Sequence, residues 1–174
     1  MFLRRERAGD EQAIAAVHAA AFARPDAPGV EPPEVELVSQ LRTSGAWVPA
    51  LSIVAIVDEE IVGHVVCSRA TIADTIPVLG LGPLGVHPFR QDARFGSALM
   101  HAVIAAADSL GEPLIVLLGA PEYYQRFGFE PAADHRIAAP DDSYGEDFQV
   151  RRLTTATGSE RGSFRYADAF DSVP

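Results

Sequence analysis

Residues 84–99 read LGVHPFRQDARFGSAL, which places the glycine-containing end of a strand, a short loop and the start of a helix in direct succession. The strand signal itself, Val78–Val86, carries three glycines and a proline, so we expect a bulge to distort it. The helix is predicted to run from Gly96 to Leu110. Its buried face is predicted to consist of Leu99, Val103, Ala106 and Leu110.

Backbone N–H groups at the start of a helix are unpaired and lie at the positive end of the macrodipole, which favours an anion. Glycines beside them let the backbone approach a ligand closely. This stretch is therefore a candidate anion site at the carboxyl end of a strand. On spacing alone, an ordinary strand–loop–helix joint remains the alternative.

The apolar run Leu114–Leu118 follows this helix and is typical of a strand buried on both faces. The order strand, helix, strand over residues 78–118 predicts one βαβ unit with two parallel strands. A short helix from about Pro121 to Arg126 and a closing strand, Phe148–Leu153, are predicted downstream.

Upstream, two helices are predicted, from about Asp10 to Phe22 and from Pro33 to Gly45, with Asp10 as the N-cap of the first. A hairpin of Leu51–Val57 and Ile61–Arg69 follows. The predicted fold class is α+β. We expect a single domain over residues 1–174, with residues 130–174 forming the C-terminal part of the sheet and a tail.

The charge balance is strongly acidic: 14 arginines and no lysine face 24 carboxylates, a net charge of −10. Such a chain is a poor partner for nucleic acid and favours cationic small molecules. A polyanionic cofactor would need a local patch or backbone N–H groups. The sequence contains no apolar run of the length that a membrane span needs, and no signal core follows the N-terminal arginines, so a cytoplasmic protein is expected.

Metal binding is not expected, because the five histidines are scattered and there is one cysteine. Cys67 lies on an apolar strand and is interpreted as a small core residue, although a thiol nucleophile is chemically conceivable.

Taken together, these motifs resemble the GNAT superfamily of acyl-coenzyme-A-dependent N-acyltransferases, and most closely its bacterial branch of predicted acetyltransferases. The resemblance covers nearly the whole chain. The segments that carry it are Glu36–Val38, Leu41–Arg42, Ile61–His64, Leu81–Pro88, Gly96–Leu99, Val116–Gly119, Tyr123–Tyr124, Arg126–Phe129 and Ala169–Asp171.

The resemblance implies a GNAT fold, in which a central mixed sheet with a splayed parallel strand pair is flanked by helices. It implies acetyl-CoA as the acyl donor and no metal. The pantetheine arm would pair with the backbone of the distorted strand, and the pyrophosphate would bind amides of the following loop and helix start. The implied cofactor-binding residues are Leu84, Gly85, Val86, Gln91, Asp92, Ala93, Arg94, Phe95, Gly96 and Ser97.

The chemistry that the resemblance implies is direct attack of an unprotonated primary amine on the thioester carbonyl. A backbone N–H at Val86 would stabilise the oxyanion, and Tyr124 would act as general acid toward the departing thiolate. Alternatively, Tyr124 closes the cofactor site by packing alone. The acceptor would be a small-molecule or peptide amine. The resemblance is also compatible with a homodimer.

One departure from the family pattern concerns the phosphate loop. Gln91 and Gly96 match the pattern, but Arg94 occupies a family glycine position and Asp92 adds a negative charge. Arg94 either obstructs the cofactor or contacts phosphate itself. We favour retained binding; the alternative is a degenerate coenzyme-A-binding or regulatory module.

The general base is not evident from the sequence. His64, His87 and Glu36 are candidates, but each has a structural role as the more frequent explanation, because a base must lie within hydrogen-bond reach of the amine. Deprotonation through water is an equal alternative.

Overall fold

The computed structural model describes residues 2–172, with side chains for all of them except Asp92 and Ala93. Within this range the chain forms four α-helices and nine strands. The helices are α1 (Glu11–Ala21), α2 (Pro33–Thr43), α3 (Phe95–Ser109) and α4 (Pro121–Tyr124). The strands are β1 (Phe2–Arg5), β2 (Trp47–Val57), β3 (Glu60–Ile72), β4 (Ile76–Val86), β5 (Leu114–Leu118), β6 (Glu130–Pro131), β7 (Ile137–Ala138), β8 (Phe148–Arg152) and β9 (Gly162–Arg165).

The sheet follows the order β1-β2-β3-β4-β5-β8-β6, with β9 bridging β3 and β7. Neighbours along the main path pair antiparallel except β4 and β5, which are parallel, as the βαβ pattern predicts. That parallel pair is short: Leu79 faces Ile115 and Gly80 faces Val116. The predicted parallel βαβ unit is confirmed.

Strand β4 is distorted where the sequence places its proline. Along β3, pairing moves from Val65 to Cys67, whereas on β4 it moves from Leu84 to Leu81, so β4 holds one extra residue there. The extra residue lies around Gly82–Pro83, where Gly82 has a φ of 150°. Proline lacks a donor for the ladder, and the bulge accommodates it.

The helices cover the two faces of the sheet. α1 and α2 pack together over one face, and α3 packs against β2 and β3 on the other. Gly63 of β3 allows a close approach of α3, since a Cβ there would lie 3.0 Å from Leu99 Cδ1. Leu99 and Val103 of the predicted helix face are buried, but Leu110 is 48% exposed because α3 ends at Ser109.

Two features of the N-terminus differ from the sequence analysis. Asp10 is the N-cap residue of α1, as predicted, but its side chain makes no capping hydrogen bond. Its carboxylate instead accepts hydrogen bonds from Arg4, at 2.5 and 2.9 Å, and from the Arg7 amide at 2.7 Å. β1 was not predicted, because it is a four-residue edge strand with no strong apolar alternation.

The C-terminal residues complete the sheet and one side of the molecule. β8 pairs along the whole of β5, and β9 places Phe164 beside Ile72 of β3. A final 3₁₀ turn, Asp168–Ser172, packs on α2 through Ala169. None of the helices between residues 2 and 172 combines the length and the apolar character that crossing a bilayer requires.

Candidate active site

A cleft opens between β4 and β5 beyond their short paired segment. The His87 amide donates to the Val62 carbonyl at 2.9 Å, which fixes which β4 residues face β3. In an antiparallel ladder alternate residues face the partner, so Leu84 and Val86 direct their main-chain groups away from β3, into the cleft. This is the strand edge that a ligand with amide groups could extend.

Gly85 lies between these two residues and differs from them. It pairs with His64 of β3, so its main-chain groups belong to the ladder. A Cβ at this position would lie 2.7 Å from His18 Nδ1 of α1. Gly85 therefore serves the site through its missing side chain, which lets α1 pack closely behind the strand.

One cavity of about 610 Å³ occupies the α3 side of the cleft. The Gln91 side-chain amide donates to the Val86 carbonyl at 3.2 Å and helps to define this edge. The cavity is lined by Leu84, Val86, Gln91, Arg94, Gly96, Ser97, Gly119, Ala120, Tyr123, Tyr124 and Arg126.

The start of α3 faces this cavity. Arg94 has left-handed backbone angles, φ 61° and ψ 16°, and its carbonyl accepts the first helical bond from Ala98 at 3.0 Å. The amides of residues 95–97 precede that bond, so α3 itself provides no acceptor for them, and such amides favour an anion. The side chain of Phe95 is buried in the core, so only its main chain can contribute. The side chains of Asp92 and Ala93 lie outside the described residues.

Besides Ala120, three lining residues were not among the predicted site residues. The Tyr123 hydroxyl lies at the α3 N-terminus, where a Cβ on Gly96 would be 2.6 Å away from it. Arg126 stacks over the Tyr123 ring at 4.1 Å and adds a second guanidinium to the cavity beside Arg94. Gly119 contacts the Tyr124 ring closely. A signal for all three existed, since they belong to segments that carry the family resemblance.

Tyr124 stands at the boundary between this cavity and a second one. It lines both, and Leu84 is the other residue that the two linings share. Burial raises the pKa of Tyr124 to about 12, with a further contribution from the neighbouring Tyr123. The hydroxyl is therefore protonated at neutral pH and available as a hydrogen-bond donor.

The second cavity, of about 470 Å³, lies on the opposite side of that boundary. α1, α2, β4, β9 and the C-terminal 3₁₀ turn provide most of its wall. Its lining is Phe22, Glu34, Leu37, Leu81, Gly82, Pro83, Leu84, Leu118, Tyr124, Pro140, Tyr144, Phe164, Arg165, Tyr166, Phe170 and Asp171.

The three candidate bases do not line either cavity among the described residues. His64 is fully buried, with its ring nitrogens 2.8 Å from His18 Nε2 and from Ser52 Oγ. His87 lines a separate surface depression near Arg4. Glu36 is exposed and accepts a hydrogen bond from Gln40. Deprotonation through water is the alternative compatible with this geometry.

Cys67 is buried in the core, as the sequence interpretation holds, and burial raises the pKa of its thiol. It is therefore not an accessible nucleophile. Within the described part of the chain, no group of three or more His, Cys, Asp or Glu residues is arranged to hold a metal ion.

Comparison with known proteins gives a consistent result. The family model for the acetyltransferase (GNAT) domain matches residues 3–132. Among curated proteins, the chain is 32% identical to the uncharacterized N-acetyltransferase YjhQ of Escherichia coli K12 over 142 residues, 78% of each chain. It is 29% identical to YhbS of the same organism over 158 residues, which are 84% of this chain and 93% of that one.

Two solved structures are similar over almost the whole chain. The E. coli GNAT family N-acetyltransferase YhbS in complex with CoA aligns with a TM-score of 0.86 at 27% identity, covering 98% of this chain and 91% of that one. A Brucella melitensis GNAT family acetyltransferase in complex with acetyl-CoA aligns with a TM-score of 0.79 at 32% identity, covering 98% and 97%.

Proposed function

This chain belongs to the GNAT family of acetyltransferases, and we propose that it transfers an acetyl group from acetyl-CoA to a primary amine where its two cavities meet, between Leu84 and Tyr124. The GNAT fold with its splayed parallel pair, and acyl-CoA-dependent N-acetyltransferase activity, are the expectations that the family match confirms. The observation that carries the proposed geometry is the shared boundary at Tyr124.

The donor would occupy the cavity at the start of α3. The amides of residues 95–97 would donate hydrogen bonds to its pyrophosphate, with Arg94 and Arg126 offsetting the negative charge. The main-chain groups of Leu84 and the carbonyl of Val86 would pair with the pantetheine amides, which would direct the thioester along β4 toward Tyr124 and leave the Val86 N–H for the thioester carbonyl. Coenzyme A binding to solved relatives supports this assignment.

The acceptor would enter from the second cavity, so that its nitrogen meets the thioester carbonyl carbon at the boundary. A C–N bond forms, the carbonyl oxygen gains negative charge, and the Val86 amide would stabilise that oxyanion. The C–S bond then breaks, and its electron pair leaves with sulfur. The nitrogen loses a proton to water and the sulfur gains one, giving an amide and coenzyme A.

Tyr124 would act on the leaving sulfur. With a pKa of about 12, its hydroxyl holds its proton more strongly than a thiol does. Its main contribution is therefore a hydrogen bond that stabilises the developing thiolate, and the sulfur then takes its proton from solvent.

Replacing Tyr124 by Phe tests this role. We expect kcat to fall by about 10- to 100-fold, since the hydrogen bond to the leaving sulfur is lost, while the Kd for acetyl-CoA stays within about twofold. Tyr123→Phe is the matched control: its hydroxyl faces the α3 N-terminus, so acetyl-CoA affinity should change more than kcat.

An unchanged kcat in Tyr124→Phe would mean that the Tyr124 hydroxyl does not assist the leaving sulfur and that Tyr124 is a packing residue. Calorimetric binding of acetyl-CoA without transfer to any amine would favour the alternative function, a coenzyme-A-binding or regulatory module. Free coenzyme A released in a thiol assay separates these outcomes.

A further inference from the structure

We propose, on the basis of the function above, that the acceptor is a primary monoamine carried on an aromatic or bulky apolar body. The cavity that would receive it is the one of about 470 Å³ beyond Tyr124, called here the acceptor cavity. This volume falls within the range of small-molecule sites and suits a compact ligand better than a folded protein surface.

The inner wall of the acceptor cavity is aromatic. Tyr166 stacks on Phe170 with centroids 4.5 Å apart and meets Phe164 edge-to-face at 4.6 Å. Phe22 closes the wall from α1, stacked on the buried His18 at 5.8 Å. Offset and edge-to-face surfaces of this kind favour an aromatic ring over a polar chain.

Packing against β4 and α2 holds this wall in place. The Tyr166 ring lies over Gly80 of β4, where a Cβ would be 2.8 Å from its Cδ1 atom. Phe170 is carried by the C-terminal turn, whose Ala169 packs against Leu37 and Leu41 of α2. A preformed apolar cavity lowers the cost of ordering side chains when a ligand binds.

Three tyrosines, Tyr124, Tyr144 and Tyr166, line the acceptor cavity, and Tyr124 also lines the cavity proposed for the donor. Tyr124 and Tyr144 both lie close enough to Tyr166 to raise its pKa further, beyond the effect of burial. Uncharged hydroxyls can hydrogen-bond an amine nitrogen while leaving it unprotonated, which is the form that attacks.

The charged lining groups are Glu34, Arg165 and Asp171, a net charge of −1. Arg165 and Asp171 are exposed and Glu34 is partly exposed, so these charges lie toward solvent. They suit the approach of one ammonium group. A polyamine would have to bring further charges against the aromatic wall, where desolvation is costly. A monoamine with an apolar body is therefore the better match.

Initial rates of coenzyme A release with phenethylamine, spermidine and a tripeptide containing lysine test this inference. We expect kcat/KM for phenethylamine to exceed that for either other amine by about tenfold or more. Hexylamine should exceed ethylamine by a similar or greater factor, because each methylene buried in an apolar site improves discrimination. A preference for spermidine or for the peptide overturns the inference and leaves the acetyltransferase assignment intact.

Phe170→Ala should raise KM for phenethylamine by about tenfold while the Kd for acetyl-CoA changes less than twofold. Phe2→Ala, a loss of the same side chain from exposed β1, is the matched control and should change neither. Unfolding curves of both variants exclude loss of fold as the cause. An unaltered KM in a folded Phe170→Ala variant overturns the inference.

Phe170→Asp provides a readout that a merely structural role would not give. A carboxylate in the wall should lower kcat/KM for phenethylamine and raise it for spermidine, narrowing their ratio by about tenfold or more. No narrowing counts against the inference. If acetyl-CoA binds but the wild-type protein acetylates no amine tested, both the inference and the proposed transfer reaction fail.

Discussion

Arg94 shows how one residue can depart from a family pattern while the backbone keeps its path. It has a φ of 61°, in the left-handed region that glycine adopts at little cost and an arginine at about 1 kcal/mol. The helix start therefore faces the cavity of about 610 Å³ proposed for the donor, called here the donor cavity, although position 94 lacks the family's glycine. The arginine side chain is exposed and lines that cavity, and it leaves the amides of residues 95–97 at the cavity wall.

For Arg94→Gly we expect two opposite effects. Relief of the left-handed conformation should leave thermal stability unchanged or slightly higher. Loss of the guanidinium should raise the Kd for acetyl-CoA by about three- to tenfold, with a weaker dependence on salt. Isothermal titration at two salt concentrations measures the Kd and its salt dependence, and a thermal unfolding curve measures the stability. Arg90→Ala, in the 3₁₀ turn Pro88–Ala93 that precedes Arg94, is the control. Tighter binding by Arg94→Gly would mean that the side chain obstructs the cofactor.

Helix α3 is the element that makes the end of β4 a candidate anion site. Its first turn lies against the Tyr123 hydroxyl, and Gly96 is the residue that leaves room for that contact. The helix also contributes Leu99, Met100 and Val103 to the core, so its N-terminus is held rigidly against the sheet.

Gly96→Ala should displace the Tyr123 hydroxyl from the helix start, because the added Cβ would otherwise lie 2.6 Å from it. We expect acetyl-CoA affinity to fall by about fivefold or more, with only a small change in the midpoint of unfolding, since a flexible ring can rotate away. Gly45→Ala, where a Cβ meets open space, is the control for the glycine substitution itself. Equal affinity in the two variants would show that the Tyr123 position is irrelevant to the donor.

At the scale of the whole molecule, a buried polar chain joins the N-terminal segment to the two helices on one face of the sheet. Glu6 accepts from Arg42 of α2 at 2.6 Å and from Ser52 of β2, which contacts His64 of β3 and through it His18 of α1. Burial alone would raise the pKa of Glu6, but hydrogen bonds from His64, Ser52 and Arg42 outweigh it and lower the pKa to about 2. Burial lowers the pKa of His18 to about 2.

These shifts predict stability that decreases as the pH falls. Below pH 6.5 the unfolded chain protonates His18 while the folded chain does not, so the free energy of unfolding decreases by at most about 1.4 kcal/mol per pH unit from this group. Glu6 adds to the loss below pH 4.5, with its contribution reduced to about 1–2 kcal/mol by solvent screening. Urea unfolding at pH 7.5 and pH 5 measures the change.

His18→Gln keeps a hydrogen-bonding side chain but removes the titrating ring. Its free energy of unfolding should therefore depend less on pH between 7.5 and 5 than that of the wild type. His101→Gln, an exposed histidine on α3, is the matched control and should retain the full dependence. Identical pH dependence in all three proteins would contradict the assignment of the loss to the buried ring.

Much of the fold is predictable from local patterns. The bounds of α1, α2 and β5 follow from helical spacing and from a continuous apolar run, since these signals report which face of an element is buried. The bulge in β4 follows from its proline. β1 and β9 were not predicted, because each is four residues long and takes its stability from the strands beside it.

The candidate donor site was predictable because it lies within one short stretch of chain, from the end of β4 through the first turn of α3. A strand, a loop and a helix start in succession bring their own amides together whatever the rest of the molecule does. The sequence by itself therefore determined where acetyl-CoA is expected to bind.

The acceptor cavity was decided only by the tertiary structure. Its wall joins Phe22, Phe164 and Phe170, of which the first and last are 148 positions apart in the sequence. They meet because the end of α1, β9 and the C-terminal turn close on the same side of β4. Hydrophobic periodicity encodes that a side chain is to be buried, but not which distant segment covers it. For that reason the chemistry at the thioester can be inferred from the sequence, whereas the shape of the acceptor cavity can be read only from the folded chain.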